Sequence, residues 1–261
     1  MQAQFREMEG GYHRANVELK AYLRDGWVLP ALPVLVEESA AALGDGASEA
    51  ARREHARLCR SVGGVLQENS KYEPALAHYE MALEIRLALE GPEGLGGAGC
   101  YLNMGIVHWR MREYDRALEL YGQAAAIFEA ERHEQGAAMI YGNMANVYRQ
   151  QKDYGKSLEY HRKALAITER VHGPRHPSTA TSHYNMAGVF HMQGNYVGAL
   201  EAYGKALAIK EQVFGPQSEP VGKTCYNMAT VYEAQGEREQ ARAFYGRAAA
   251  ACAVALGPEH K

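Results

Sequence analysis

Apolar residues recur at helical spacing along most of the chain, and polar turns separate them. In one stretch Met186 and Val189 share a helical face, and a turn containing Gly194 follows. A second apolar face begins at Ala199 and continues at helical spacing through Leu207. Small residues on both faces allow two helices to approach closely. The pattern predicts a helix-turn-helix hairpin.

The same pattern repeats along the chain, and an Asn-Met pair marks each copy. The pairs stand 40, 42 and 42 residues apart, at Asn103-Met104, Asn143-Met144, Asn185-Met186 and Asn227-Met228. Self-similarity at such a period is typical of stacked repeat proteins. The sequence therefore predicts an all-α fold, a right-handed superhelical solenoid of antiparallel helix hairpins.

Other positions of the repeat carry residues of one type. A tyrosine follows the turn at Tyr72, Tyr114, Tyr154 and Tyr196, and a ring occupies the second helix at Tyr79, Tyr121, His161, Tyr203 and Tyr245. Alanines three positions later are expected in the core, and Gly-Pro pairs are expected to end several of the second helices. Mid-helix glycines at Gly122, Gly204 and Gly246 cost helix stability, and a close backbone contact would explain them.

The repeat divides the chain into an N-terminal segment and five units. Residues 1–50 are expected to form an atypical hairpin, a cap or divergent repeat, with helices over Arg6–Leu23 and from about Pro33. The five units are predicted at about 51–92, 93–132, 133–174, 175–216 and 217–258.

These residues resemble the tetratricopeptide repeat, in the 40–42-residue version found in kinesin light chain and its relatives. The resemblance rests on the Tyr-Asn-Met-Ala and Gln-Gly-x-Tyr motifs and on the connection Gly173-Pro-Arg-His-Pro177. It covers about residues 55–261, whereas residues 1–50 show no sustained heptads of the kind that precede the kinesin light chain repeats. HEAT and armadillo repeats share the period but lack these tyrosine and alanine layers.

Composition narrows the function classes. A net charge of −3 gives no reason to expect binding to nucleic acid, and no apolar segment is long enough to span a bilayer. Among the four cysteines, Cys59, Cys100 and Cys225 fall near one position of the repeat and are expected to be small buried residues in a reducing compartment. We expect a soluble, cytoplasmic protein.

The resemblance implies that the first helices of the repeats line a groove that binds an extended peptide. Each motif asparagine is expected to face this groove, where an amide can both donate and accept hydrogen bonds. The asparagines concerned are Asn103, Asn143, Asn146, Asn185 and Asn227. The alternative interpretation is that each asparagine links neighbouring helices by hydrogen bonds.

Charged and aromatic residues on the same faces are predicted to add specificity. They are Arg57, Arg60, Arg110, Arg149, Tyr184, Tyr226 and His191. Arginines in a row can pair with carboxylates of an acidic partner. The resemblance to kinesin light chain likewise implies a tryptophan-acidic peptide, and the alternative for each arginine is a solvated surface charge.

Catalytic chemistry has little support in the sequence. No histidine shows metal-ligand spacing with cysteine or carboxylate, and His108 and His161 are expected in aromatic core positions. No metal, cofactor or catalytic residue is predicted. We expect a non-enzymatic protein-interaction adaptor or scaffold. The alternative is a structural assembly segment of a larger multidomain repeat protein, which self-associates end to end through Leu256–Lys261.

Overall fold

The computed structural model describes residues 32–41, 43 and 47–255, which form eleven helices and no strands. The helices are α1 Leu32–Ala41, α2 Glu49–Glu68, α3 Tyr72–Glu90, α4 Leu95–Arg110, α5 Tyr114–Ala130, α6 Glu134–Gln150, α7 Tyr154–His172, α8 Pro177–Met192, α9 Tyr196–Phe214, α10 Glu219–Gln235 and α11 Arg238–Ala255. The all-α prediction is confirmed. The helix predicted over Arg6–Leu23 and the connection after Ala255 lie outside the described residues.

Five helix hairpins make up most of the described chain. They are α2–α3, α4–α5, α6–α7, α8–α9 and α10–α11, each closed by a turn of two or three residues. Each turn contains one residue with positive φ: Ser70 at 59°, Arg112 at 65°, Lys152 at 61°, Gly194 at 74° and Gly236 at 81°. The glycine expected after the first helix is therefore present in the last two hairpins, while the first three hold other residues in the left-handed conformation.

Glycines also end three of the second helices. Gly91, Gly173 and Gly215 follow α3, α7 and α9 with φ of 77°, 89° and 83°. Each glycine donates its backbone N–H to the carbonyl four residues earlier, and a proline follows, which cannot continue the helix. The Gly-Pro stop signals are confirmed.

The chain divides into two compact units, residues 1–132 and 133–261. In the first unit, buried residues of the hairpins α2–α3 and α4–α5 form one core cluster, which Val36 of α1 joins. A hydrogen-bonding contact of 2.9 Å between Ser39 Oγ and His55 Nδ1 also ties α1 to α2. In the second unit, Tyr203, Val221 and Cys225 belong to a core cluster shared by α8, α9, α10 and α11.

The predicted core layers lie where the repeat places them. The motif methionines Met104, Met144, Met186 and Met228 are all buried. Rings fill the layer of the second helices at Tyr79, Tyr121, His161 and Tyr203, whereas Tyr245 is only partly buried. Cys59, Cys100 and Cys225 are buried free thiols, as expected, and burial raises the pKa of Cys59 and of Cys100 to about 11.

Two expectations about particular residues are wrong. A Cβ added to Gly122, Gly204 or Gly246 would meet no atom within 4 Å, so no close contact explains these glycines. His108 does not occupy a core position: its side chain is 15% exposed, and its Nδ1 lies 2.6 Å from Glu113 Oε2. The carboxylate of Glu113 lies at the next turn and draws the imidazole toward the surface.

The close contacts to glycine occur elsewhere. A Cβ on Gly63 would lie 2.8 Å from Tyr79 Cε1, and one on Gly105 would lie 2.5 Å from Tyr121 Cε1. Both rings are almost completely buried, so they have little room to move away. Glycine at these two positions allows the tyrosine layer to rest directly on the first helix.

Candidate functional site

The motif asparagines lie on the first helix of four hairpins, next to the buried methionines. Asn103 is on α4, Asn143 on α6, Asn185 on α8 and Asn227 on α10, and all four are partly buried. A partly buried amide sits at the boundary between core and solvent, where its polar atoms can still reach a ligand. Their arrangement is clearest in the second unit, where cavities lie beside them.

The first cavity lies between α6 and α8, with α7 beneath them. It has a volume of about 540 Å³, and Asn143, Asn146 and Asn185 line it together. Within the described residues, none of these three amides has a hydrogen-bond partner. Methyl and methylene groups of Met139 and Ile167 form other parts of the wall, and no lysine, arginine, aspartate or glutamate lines it.

His161 forms part of the wall of this cavity. It holds the ring position that tyrosine holds in the other four hairpins, and it is 1% exposed. Its Nε2 has no hydrogen-bond partner among the described residues. Burial, with the nearby Arg149 guanidinium, lowers the pKa of His161 to about 4. The imidazole is therefore neutral at pH 7 and leaves an unpaired polar atom at the cavity wall.

Asn146 occupies the space that opens above the shorter His161 ring. It follows Asn143 by three residues, just as Gly188 follows Asn185. A Cβ on Gly188 would lie 3.7 Å from the Tyr203 hydroxyl, so a tyrosine in the ring layer reaches this position. In the third hairpin the ring ends earlier, and an amide takes the place of the hydroxyl.

A second cavity, of about 360 Å³, adjoins the first between α8 and α10. Thr181 and Asn185 line both cavities, and we call the two together the asparagine surface. Lys210 of α9 and Phe214 line the second cavity. The sequence gave no reason to single out Lys210. Burial, with the Lys223 charge nearby, lowers its pKa to about 8.

Asn227 differs from the other motif asparagines. Its Nδ2 donates a hydrogen bond of 2.6 Å to the Tyr184 hydroxyl, which links α10 to α8. A third cavity, of about 620 Å³, contains Tyr184, Asn227 and the exposed Tyr226. The helix-linking interpretation thus describes Asn227, whereas Asn143 and Asn185 have no such bond within the described residues.

The other candidate residues do not gather at the asparagine surface. Arg149 approaches the Met192 sulfur, 3.9 Å away, and His191 packs edge-on against Tyr196 at a turn. In the first unit Arg57, Arg60 and Arg110 are exposed, and Arg57 pairs with Glu54 of its own helix. No row of arginines lines either of the two adjoining cavities.

Two other kinds of site were searched for among the described residues. They contain no group of three or more His, Cys, Asp or Glu side chains that could hold a metal ion. None of the described helices combines the length and the apolar character needed to cross a membrane.

Comparisons with known proteins agree with the hairpin architecture. Models of the tetratricopeptide repeat match residues 46–130, 136–212 and 221–260. A comparison with curated proteins found no match.

Several solved structures share the fold at low identity. BtubC (BKLC) from P. vanneervenii is 21% identical with a TM-score of 0.70, over 97% of this chain and 94% of that chain. Kinesin-light-chain TPR-like repeats from Podosopora anserina are 17% identical with a TM-score of 0.66, over 78% and 97%. A STAND signal-transduction ATPase with a tetratricopeptide repeat sensor, from Pyrococcus horikoshii, is 18% identical with a TM-score of 0.73, over 94% and 36%.

The helix hairpins, the repeat period and the family match agree. The matched ranges include every residue of the asparagine surface named above. The chain therefore belongs to the tetratricopeptide repeat family, and its structural neighbours include kinesin-light-chain-like members of that family.

Proposed function

We propose that the protein is a non-enzymatic interaction adaptor that binds an extended peptide segment of a partner on the asparagine surface. Tetratricopeptide repeats generally mediate protein–protein interactions. The observation that carries the proposal is the set of three amides, Asn143, Asn146 and Asn185, which line one cavity without a hydrogen-bond partner in the described residues.

Amide side chains suit the backbone of an extended peptide. Each offers one acceptor and two donor hydrogens, and a peptide backbone presents the complementary groups at regular intervals. Asn143 and Asn185 hold the same position in successive hairpins, so a peptide that crosses from α6 to α8 meets both. Met139 and Ile167 supply apolar contacts for the peptide side chains.

The test uses peptides selected from a random displayed library on the purified wild-type chain. Affinity of the selected peptides is then measured for the double variant N143A/N185A by fluorescence anisotropy. We expect a loss of about tenfold or more, because two hydrogen bonds to the peptide backbone are removed. The matched control is Q212A/Q240A, which removes two exposed amides from α9 and α11 and should leave affinity unchanged.

Two results would contradict the proposal. One is that no peptide is enriched. The other is that peptides bind N143A/N185A as well as they bind the control. Circular dichroism melting of both variants checks that the fold is retained, since Asn143 and Asn185 make no hydrogen bond to the described part of the chain.

A structural assembly segment is the second candidate function. One observation favours it: the chain is similar to only 36% of the STAND ATPase, where such repeats form part of a larger protein. Sedimentation velocity at increasing protein concentration distinguishes the two candidates. A constant monomer supports the adaptor, and concentration-dependent end-to-end growth supports assembly.

The compartment is also part of the proposal. Cys59, Cys100 and Cys225 are free thiols, and each is buried in the core rather than close to another cysteine in a disulfide. Free core thiols are compatible with a reducing environment. We place the protein in the cytoplasm.

A further inference from the structure

We propose that Lys210 binds a carboxylate of the partner peptide, in the second cavity of the asparagine surface. The inference rests on the proposed function and adds the chemistry of one partner group. The carboxylate comes from an aspartate or glutamate side chain or from the peptide C-terminus.

Lys210 is a buried cation without an anionic partner. It is 9% exposed, and its Nζ donates a hydrogen bond of 2.9 Å to Thr224 Oγ1. The ammonium also lies 4.1 Å from the centre of the Tyr184 ring. Neither neighbour carries a negative charge, and no described carboxylate forms an ion pair with Lys210. Because an ammonium has three donor hydrogens, it can still donate to a ligand.

The first hairpin shows how the same position is neutralised elsewhere in the chain. Arg86 follows Tyr79 by seven residues, and Lys210 follows Tyr203 by seven residues, so the two cations hold equivalent positions. Arg86 Nη1 pairs at 2.5 Å with Glu90, four residues later. Four residues after Lys210 the chain has Phe214 instead. The internal counter-ion is therefore replaced by an apolar side chain.

Phe214 and Lys210 define the shape of the proposed subsite. Both line the cavity, and the Phe214 side chain is 47% exposed, which is unusual for a large apolar residue. A carboxylate beside an apolar group of the partner would satisfy the ammonium and cover the ring. Asn185 lines the same cavity, so a peptide bound along the asparagine surface would extend to Lys210.

The other charged groups of the cavity are already engaged. Lys223 Nζ and Glu219 Oε1 lie 2.6 Å apart on successive turns of α10. Tyr184 of α8 faces Lys210 and accepts the hydrogen bond from Asn227. Of the titratable groups at this cavity, Lys210 is thus the one whose charge has no anionic partner in the described chain.

Binding should depend on pH in a defined direction. Burial lowers the pKa of Lys210 to about 8, and a bound carboxylate favours the charged ammonium. Peptide affinity should therefore fall by about tenfold between pH 7 and pH 9, as free Lys210 loses its proton. The K210M variant keeps Tyr184, Glu219 and Lys223, so its affinity should change little over this range.

The test selects random peptides on the wild-type chain in two display formats. One format blocks the peptide C-terminus and the other leaves it free, so the source of the carboxylate is identified. Selected peptides are measured against K210M and against K205M, which removes an exposed lysine from the same helix. We expect acidic peptides or free C-termini to be enriched, and K210M to bind them about tenfold more weakly than K205M does.

Replacing the peptide carboxylate by an amide completes the measurement. The amide should weaken binding to the wild type by about tenfold and leave binding to K210M unchanged, because the partner group is already absent. Equal affinity of K210M and K205M, or enrichment of peptides without a carboxylate requirement, would overturn the inference.

The outcomes separate this inference from the proposed function. If N143A/N185A weakens binding and K210M does not, the peptide surface stands and the carboxylate subsite is wrong. If no peptide is enriched, or if neither substitution affects binding, both proposals fail. Methionine removes a buried charge and keeps the length of the side chain, so K210M is expected to fold.

Discussion

The Asn227 amide donates its hydrogen bond to the Tyr184 hydroxyl at 2.6 Å, and this contact connects helices of successive hairpins. The asparagines at the same repeat position one and two hairpins earlier, Asn185 and Asn143, have no corresponding bond to the described chain. One motif position therefore has two environments. In one hairpin it stabilises the stack, and in two others its polar atoms face a cavity.

Asn227→Ala should destabilise the protein, and Asn143→Ala should not. Loss of the bond to Tyr184 is expected to lower the free energy of unfolding by about 1 kcal/mol. Urea unfolding followed by circular dichroism compares the two variants with the wild type. Equal stability of the two variants would mean that the Asn227 bond contributes nothing measurable.

Gly105→Ala should be destabilising because its Cβ would lie 2.5 Å from Tyr121 Cε1. Forcing the buried ring to shift should cost about 1 to 3 kcal/mol of unfolding free energy. Gly122→Ala on the next helix is the matched control, since no atom lies within 4 Å of its added Cβ. That substitution should stabilise the helix by about 0.5 to 1 kcal/mol. A shift of the same sign in both variants would contradict the packing argument.

His161 should make the protein sensitive to acid. Its pKa is lowered to about 4 by burial, so the unfolded chain binds a proton near pH 6.5 that the native chain does not. Stability is therefore lost as pH falls below about 6.5. Between pH 7 and about pH 4.5 the wild type should lose about 2 to 3 kcal/mol more than His161→Phe does.

Urea unfolding of the wild type and of His161→Phe at both pH values measures this difference. The other lowered histidine pKa values, those of His55, His78 and His183, are shared by the two proteins and cancel. Parallel loss of stability in the wild type and in His161→Phe would show that His161 is not the group responsible.

Lys210 should have the opposite pH dependence. Its folded pKa of about 8 lies below the value near 10.5 of an ordinary lysine, so the native state disfavours the ammonium. Lys210→Met should be more stable than the wild type at pH 7. The wild type should recover about 2 kcal/mol relative to the variant between pH 8 and about pH 9.5. Chemical unfolding of both proteins at these pH values tests the sign, and a constant difference would contradict it.

The hairpins and core layers could be predicted from the sequence because they depend on residues that recur. Tyr79, Tyr121 and Tyr203 repeat at a fixed period, and each is buried. Gly63 and Gly105 escaped notice because alanine replaces them in the later hairpins, so the period shows only small residues there. Whether a glycine touches a ring depends on how close two helices come, which a period does not specify.

The candidate site could be predicted in part. The motif asparagines and Tyr184 were identified from the sequence, and the structure brings Asn143, Asn146 and Asn185 to one cavity. Lys210 was missed because its repeat position carries Arg86, Phe128 and Thr168 elsewhere. A position without a shared residue type looks like a variable surface, and burial of Lys210 depends on α8 and α10 packing over it. Its one signal in the sequence is the absence of a carboxylate four residues later.

The contrast between the Arg86–Glu90 pair and the Lys210–Phe214 pair shows how copies of one repeat can diverge in duty. A duplicated hairpin inherits a cation together with the anion that satisfies it. Replacing the anion alone leaves the backbone, the packing and the neighbouring copies unchanged. The remaining cation then seeks its counterpart outside the molecule. In a tandem array, recognition can thus arise by the loss of one inherited residue rather than by the gain of a new site.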